Sequence, residues 1–302
     1  MRILIAISFV CAQLLAFGQQ HSLYSQYLFN LYMVNPAYAG QHDALNVAFS
    51  TRHQWIGMEG APRTQNFTMH SPLSFRNMSA GIHVQHDVIG ARQVSSAAAT
   101  YAYQVKLNTR SSLSFGLQGG LINYYIDPNK LSYGNPGDPA VYNLPGSRLI
   151  PNFDFGAFYS NRNTYLGFSA LHLNSARLQG TEHHENRLQP SFNIIAGHIL
   201  ELSESIALKP STIVRKGALD PLQFDANMGI RINNALWLTT TYRHRFGMVF
   251  STHCVVRDKL HIGYAFDWAM NGLVAAQSGT HEIFLGIDLN VRRNEIIQPR
   301  FF

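Results

Sequence analysis

Glu282-Ile283-Phe284-Leu285-Gly286-Ile287-Asp288-Leu289, near the end of the chain, puts Ile283, Leu285, Ile287 and Leu289 at every second position. Between them stand Glu282, Phe284, Gly286 and Asp288. Successive side chains on a strand point to opposite faces, so one face of this segment is aliphatic and the other carries carboxylates and a glycine. The same period recurs upstream from Leu260 to Trp268, Met248 to Val256 and Leu236 to Arg245. Before those, Phe224, Ala226, Met228, Ile230 and Ile232 alternate with Asp225, Asn227 and Arg231. Shorter runs follow the same rule: Phe192, Ile194 and Ala196; Ile206 and Leu208; Tyr165 to Leu173; Phe153 to Tyr159; Leu113 to Leu117; Tyr101 to Leu107; and the segments around Ile82, Phe67 and Val47. Turn residues separate them, as at Asn108-Thr109-Arg110 and Asn161-Arg162-Asn163, which predicts antiparallel hairpins. The expected number is about fourteen strands.

Composition narrows what these strands build. Of 302 residues, 46% are hydrophobic, 12% aromatic and only 13% charged, which excludes a disordered chain. Beyond the N-terminus there is no apolar run near the length of a transmembrane helix, and mean hydropathy is -0.07, so a helical membrane bundle is excluded too. A soluble sandwich or propeller and a transmembrane barrel remain. They differ in the outward face, which should be charged in a sandwich, whereas in a membrane barrel the apolar face meets lipid and the other face holds Ser, Thr, Asn, Gln, Arg and Asp in water. Here the interleaved residues are mostly uncharged polar ones. Trp55, Tyr101, Tyr159, Tyr165, Trp237 and Trp268 fall near strand ends, as an interfacial aromatic girdle requires. The expected fold is therefore all-β: an antiparallel transmembrane β-barrel preceded by a non-strand N-terminal segment.

Arg2, an apolar run from Ile3 to Phe17 and the Ala16-Phe17-Gly18 exit read as a secretory signal peptide over 1–18. Cys11 follows Val10, too bulky for lipoprotein cleavage, so removal of 1–18 leaves Cys254 as the remaining thiol and no internal disulfide. Residues 19–43 are expected to form a plug or periplasmic segment, and 44–302 the outer-membrane barrel. The long segments Asp127 to Pro151 and Asn174 to Arg187 are expected as loops outside the bilayer. Strand glycines such as Gly81, Gly116, Gly167 and Gly263 suit bends and close approach. The formal charge of +6 is spread over single or paired basic residues with no recognition motif, which argues against a nucleic-acid partner.

Little points to catalysis. Glu182, His183, His184 and Glu185 are metal-capable, but neighbouring histidines diverge on most backbones. His83 and His86 are three apart on a strand and face opposite sides. No phosphate loop, nucleophile elbow or metal motif is present, so neither enzyme activity nor a cofactor or metal is expected.

The segment just after the signal peptide is unlike the strand repeat: Ser25-Gln26-Tyr27-Leu28-Phe29-Asn30 leads to Asn35-Pro36-Ala37-Tyr38-Ala39-Gly40, followed by Arg52-His53-Gln54-Trp55-Ile56-Gly57 and Gly60-Ala61-Pro62-Arg63-Thr64-Gln65. These blocks closely resemble the PorP/SprF family, outer-membrane proteins of the type IX secretion and gliding machinery. His70-Ser71-Pro72-Leu73, the strand at His281-Glu282-Ile283 and the ending Pro299-Arg300-Phe301-Phe302 extend the likeness to both ends of the mature chain. The ending departs slightly, with Phe301 where relatives carry Tyr.

The resemblance implies an outer-membrane barrel that binds or anchors secreted surface proteins. Its implied partners are cargo C-terminal domains, periplasmic ring or peptidoglycan-linked lipoproteins, and the lipid bilayer. Tyr27, Phe29, Asn35, Pro36, Tyr38, Gly40, Arg52, Trp55 and Pro62 are the partner-binding candidates. Tyr27, Phe29, Tyr32 and Tyr38 offer an aromatic surface for packing inside a barrel or against a partner. A porin or transporter for small or hydrophobic solutes is the alternative.

Overall fold

The computed structural model describes residues 24–42, 44–73, 77–131, 147–176, 187–218 and 220–290. The described residues form fourteen antiparallel strands: β1 (Ala44–His53), β2 (Arg63–Pro72), β3 (Met78–Ile89), β4 (Arg92–Lys106), β5 (Ser111–Ile126), β6 (Ser147–Asn161) and β7 (Thr164–Leu171). They continue with β8 (Ser191–His198, extended by Leu200–Glu201), β9 (Ile206–Gly217), β10 (Gln223–Ile232), β11 (Leu236–Arg243), β12 (Gly247–Val256), β13 (Leu260–Ala269) and β14 (Thr280–Asn290). The two pieces of β8 keep one register against β9, with Gly197 opposite Ser211 and Glu201 opposite Ala207. The ladder between them skips Lys209 and Pro210, and Pro210 has no N–H to give it.

Each strand pairs with its neighbours in sequence, and β14 pairs with β1 from Asn290–Ala44 to His281–His53, closing the ring. Stepping from partner to partner once round the ring returns to β1 displaced by about 14 residues, which for about 14 strands sets a tilt near 35° and a radius of about 13 Å. A ring that wide is not filled by its own inward side chains.

The two faces are inverted relative to a water-soluble β domain. Leu117 and Leu149 are each 63% exposed on the outside, with Phe115, Phe153, Ile194, Leu238, Phe250, Ile283 and Leu285 also exposed there. Thr64, Asp225, Asp267 and Glu282 are fully buried on the inside. So continuous an apolar exterior is stable only against hydrocarbon, and no second sheet among the described residues covers it. Phe115→Arg on this face is expected to cost about 2–4 kcal/mol of the barrel's unfolding free energy in lipid vesicles. A change near zero in urea titration would mean that Phe115 does not face lipid.

The chain enters β1 and leaves β14 at one end of the barrel, where the turns are short, as at Arg162–Asn163 and Asn233–Asn234–Ala235. The longer connections lie at the other end, the arrangement of short periplasmic turns and long outer loops.

Three expectations need correction. Tyr165 and Trp237 do not join an outer girdle. Both face inward and are buried, while Leu166, Phe168 and Leu238 take the lipid face, because aromatic residues suit either side of a strand whose neighbours are small. Tyr101 and Trp268 do face outward. The loop expected to reach Pro151 ends earlier, at Ser147. Pro151 is tolerated in β6 because its nitrogen faces the side where β7 has already ended, and its carbonyl there accepts from the Asn174 side chain at 2.6 Å. Beyond β7, His172 takes φ 58°, and its N–H turns inward to the Asp154 carboxylate at 2.7 Å. Burial pushes the His172 imidazole down to about 4. Residues 1–18, Glu182 to Glu185 and the terminal Pro299-Arg300-Phe301-Phe302 lie outside the described residues.

Candidate functional site

The space inside the ring holds the N-terminal segment. It folds as three short 3-10 turns, Gln26–Phe29, Leu31–Met33 and Pro36–Tyr38, rather than one helix. Asn30 and Asn35 interrupt it, and Pro36 removes the N–H that would continue the preceding turn. Asn35 then starts the last turn by accepting the Ala37 N–H at 2.9 Å.

Tyr24, Tyr27, Leu28, Leu31, Tyr32, Met33, Val34, Ala37, Tyr38 and Ala39 from this segment cluster with Ala102, Phe158, Tyr165, Ile195 and Ile213 from the wall. This hydrophobic core lies inside the barrel, and more than half of it comes from the segment. Phe158 stacks on Tyr165 at 5.8 Å and meets the Tyr38 ring edge-on at 5.3 Å. The inward turn of Tyr165 thus belongs to the plug's packing.

The wall makes room for the segment through glycines. A Cβ on Gly116 would collide with the backbone of Pro36 and Ala37, and one on Gly156 with the Asn35 side chain. One on Gly81 would come within 2.6 Å of the Tyr32 hydroxyl, and one on Gly263 within 2.9 Å of the Gln26 side chain. The Asn35-Pro36-Ala37 step rests on this groove, and the Asn35 amide donates to the wall carbonyls of Ala157 at 3.0 Å and Phe168 at 3.1 Å.

Polar contacts follow the segment through the lumen. At the end where β1 begins, the Gly40 N–H donates to His70 Nδ1 at 3.2 Å, with Gly40 at φ 69°. Further along, Ser169 donates to the Val34 carbonyl at 2.6 Å and Tyr32 to Thr100 at 2.7 Å. Asn30 donates to Thr68 at 2.7 Å, and Tyr27 shares hydrogen bonds with the Asn227 amide. Phe29 stacks on His253 at 3.9 Å.

At the loop end, Ser25 and Gln26 enter a charged knot. Arg52 bridges Asp267 at 2.7 Å and Glu282 at 3.1 Å. Arg243 joins Asp267 at 2.7 Å to Asp225 at 3.4 Å, and Arg215 reaches Asp225 at 3.1 Å. These three arginines balance three carboxylates, which permits such deep burial. Spare acceptor capacity holds the segment: Glu282 accepts the N–H groups of Ser25 at 2.7 Å and Gln26 at 3.2 Å, and Asp267 accepts the Ser25 hydroxyl at 2.7 Å. Arg243 donates to the Tyr24 carbonyl at 3.0 Å.

Of the residues singled out from sequence, Tyr27, Asn35, Pro36 and Tyr38 are buried against the wall, and Arg52 belongs to the knot. Phe29 is half-buried. Gly40 lies at the opposite end. Trp55 and Pro62 stand apart from the others, in the loop between β1 and β2, where the Trp55 N–H donates to Thr280 at 3.1 Å and Pro62 accepts from Gln54 at 2.9 Å. Ser25, Asp225, Arg243, Asp267, Glu282 and Gly156 complete the site and were not picked out. One signal pointed to four of them: Asp225, Arg243, Asp267 and Glu282 are charges at inward positions of largely uncharged strands, and buried charges require partners.

In fold the chain is similar to a TodX deltaS2S3 mutant monoaromatic hydrocarbon channel, with TM-score 0.50 at 9% identity, covering 86% of this chain and 94% of that one. It also matches the Pseudomonas putida toluene transporter TodX (TM-score 0.48, 10% identity, 90% and 96% covered). A third match is the Acinetobacter baumannii outer membrane protein Omp33 (TM-score 0.45, 8% identity, 82% and 97% covered). At such identities the likeness is one of fold alone. No curated protein matches the sequence. The family described as "Type IX secretion system membrane protein PorP/SprF" matches residues 16–287. A closed ring with a lipid-facing exterior, matched over nearly its whole length, makes this chain an outer-membrane β-barrel that belongs to the PorP/SprF family.

Proposed function

We propose that the chain is exported by its 1–18 signal peptide and serves in the outer membrane as a binding and structural component of the type IX secretion and gliding machinery, not as an enzyme. It anchors or passes on secreted surface proteins through their C-terminal domains and contacts periplasmic ring or peptidoglycan-linked lipoproteins. The observation that supports this best is the packed lumen: the N-terminal segment is bonded to the wall from Gly40 to Tyr24, which suits a scaffold better than a solute channel. In this role Tyr27, Phe29, Asn35, Pro36, Tyr38 and Arg52 serve partner binding by fixing both rims of the barrel. Half-buried Trp55, beside the exposed Ile56, meets partners at the outer rim, buried Pro62 serves by holding that loop through Gln54, and Gly40 serves at the periplasmic rim.

One observation favours the alternative of a transporter. Both polar atoms of the Gln26 side chain, Asn30 Oδ1, Asn66 Nδ2 and Arg52 Nε are buried without a hydrogen-bond partner along the seam between segment and wall. Such groups call for water, and a continuous hydrated seam would admit small solutes.

The test is cross-linking in intact cells followed by purification in detergent. The full chain is expected to carry cargo C-terminal domains and periplasmic secretion lipoproteins. Deletion of residues 25–40 is expected to leave a barrel with heat-dependent gel mobility that carries neither. A full-length barrel recovered without any of these partners would overturn the proposal.

A further inference from the structure

The periplasmic rim has a cleft that the plug does not use. The turn between β4 and β5 and the turn between β6 and β7 stand side by side there, because Ser111 pairs with Asn161 across β5 and β6. Between them opens a cavity of about 370 Å³ lined by Asn108, Thr109, Arg110, Ser111, Tyr159 and Arg162, with Asn161 at its edge. Arg110 and Arg162 are exposed, and neither has an ion-pair or hydrogen-bond partner for its guanidinium among the described residues. Two unneutralised arginines facing one cleft, among small hydroxyl and amide side chains, fit a phosphate: the guanidinium forks supply paired donors and the neighbours fill the remaining acceptor positions.

The wall above the cleft tells which phosphate. Tyr159 lines it from the lipid-facing side of β6. Next to it on that face stand Leu113, opposite it on β5, and Leu166, opposite it on β7 and 52% exposed. Val105 and Phe115, both exposed, extend this apolar track. A cationic cleft at the rim that opens onto a greasy outer wall matches a molecule with a phosphate at one end and acyl chains at the other. A free phosphate gains nothing from the wall.

We propose that this cleft binds an anionic phospholipid of the periplasmic leaflet, with Arg110 and Arg162 on its phosphate and the acyl chains along Leu113, Tyr159 and Leu166. The site fixes the height and rotation of the barrel at the face turned to the periplasm, and it stands independently of the secretion role.

Native mass spectrometry of the full-length barrel in detergent tests this, with phosphatidylglycerol, phosphatidylcholine or inorganic phosphate as added probes. Wild-type protein is expected to retain phosphatidylglycerol in preference to phosphatidylcholine. Combined Arg110→Glu and Arg162→Glu should weaken that binding by about tenfold or more, since basic groups at the membrane surface attract an anionic headgroup and acidic ones repel it. Arg257→Glu, at the turn between β12 and β13, removes a comparable rim charge away from the cleft and should leave binding unchanged. Equal loss in the Arg257 variant, or undiminished binding in the double variant, would overturn the proposal. Inorganic phosphate that displaces the lipid at equal concentration would also overturn it, because the acyl chains would then contribute nothing. Heat-dependent gel mobility confirms that each variant remains a folded barrel.

Discussion

Gly156→Val is expected to drive the N-terminal segment out of the lumen while the strands stay paired. The new Cβ would overlap the Asn35 side chain and press on the Ala37 backbone, and neither can move without giving up the groove across β5, β6 and β7. Overpacking of this kind costs about 1–3 kcal/mol. Displacement of Asn35 also breaks its bonds to Ala157, Phe168 and Ala37, each contributing about 1 kcal/mol. Together these come to several kcal/mol, a large share of a domain's marginal stability. Gly119→Val is the control. Its Cβ points outward and meets the Phe153 ring at 3.6 Å, an ordinary contact, so its effect should stay within about 0.5 kcal/mol. Limited proteolysis within residues 24–42, measured beside urea titration, separates the two variants. Equal protection in both would mean that the segment does not rest on Gly156.

Arg52→Ala should be the most damaging side-chain truncation in the protein, costing about 3–5 kcal/mol by leaving carboxylates buried and under-paired. Asp267 would still hold Arg243, but Glu282 would keep only the N–H groups of Ser25 and Gln26. The damage should therefore pass through Glu282. Adding Glu282→Gln to Arg52→Ala removes the stranded charge and should recover part of the loss, so the double variant should be more stable than Arg52→Ala alone. Lysine at position 52 should rescue poorly, because one ammonium cannot span both carboxylates as the guanidinium does. Additive losses in the double variant would show that Arg52 and Glu282 act independently.

The ring itself was legible because its cause is local. Period-two alternation marks each strand, and apolar side chains opposite uncharged polar ones mark a membrane barrel, so the strand from Glu282 announces the architecture within eight residues. The interior was less legible because its contacts join distant positions. Arg52 meets partners 215 and 230 residues away, and Asn35 meets wall carbonyls 122 and 133 residues away. Gly116 and Gly81 showed as small residues within strands, but a missing side chain does not say what occupies its place. Tyr165 and Trp237 read as outward from sequence for a related reason: an aromatic ring suits a lipid interface and a packed lumen equally, and only the segment opposite decides between them.

The N-terminal segment closes the barrel from within. Single-channel recording in planar lipid bilayers tests it most directly, with the full-length mature chain compared with the form lacking residues 25–40. The full chain should leave the bilayer silent, and stepwise, porin-like currents should appear once the segment is gone. Sustained open-channel currents from the full chain, equal to those of the deleted form, would contradict it.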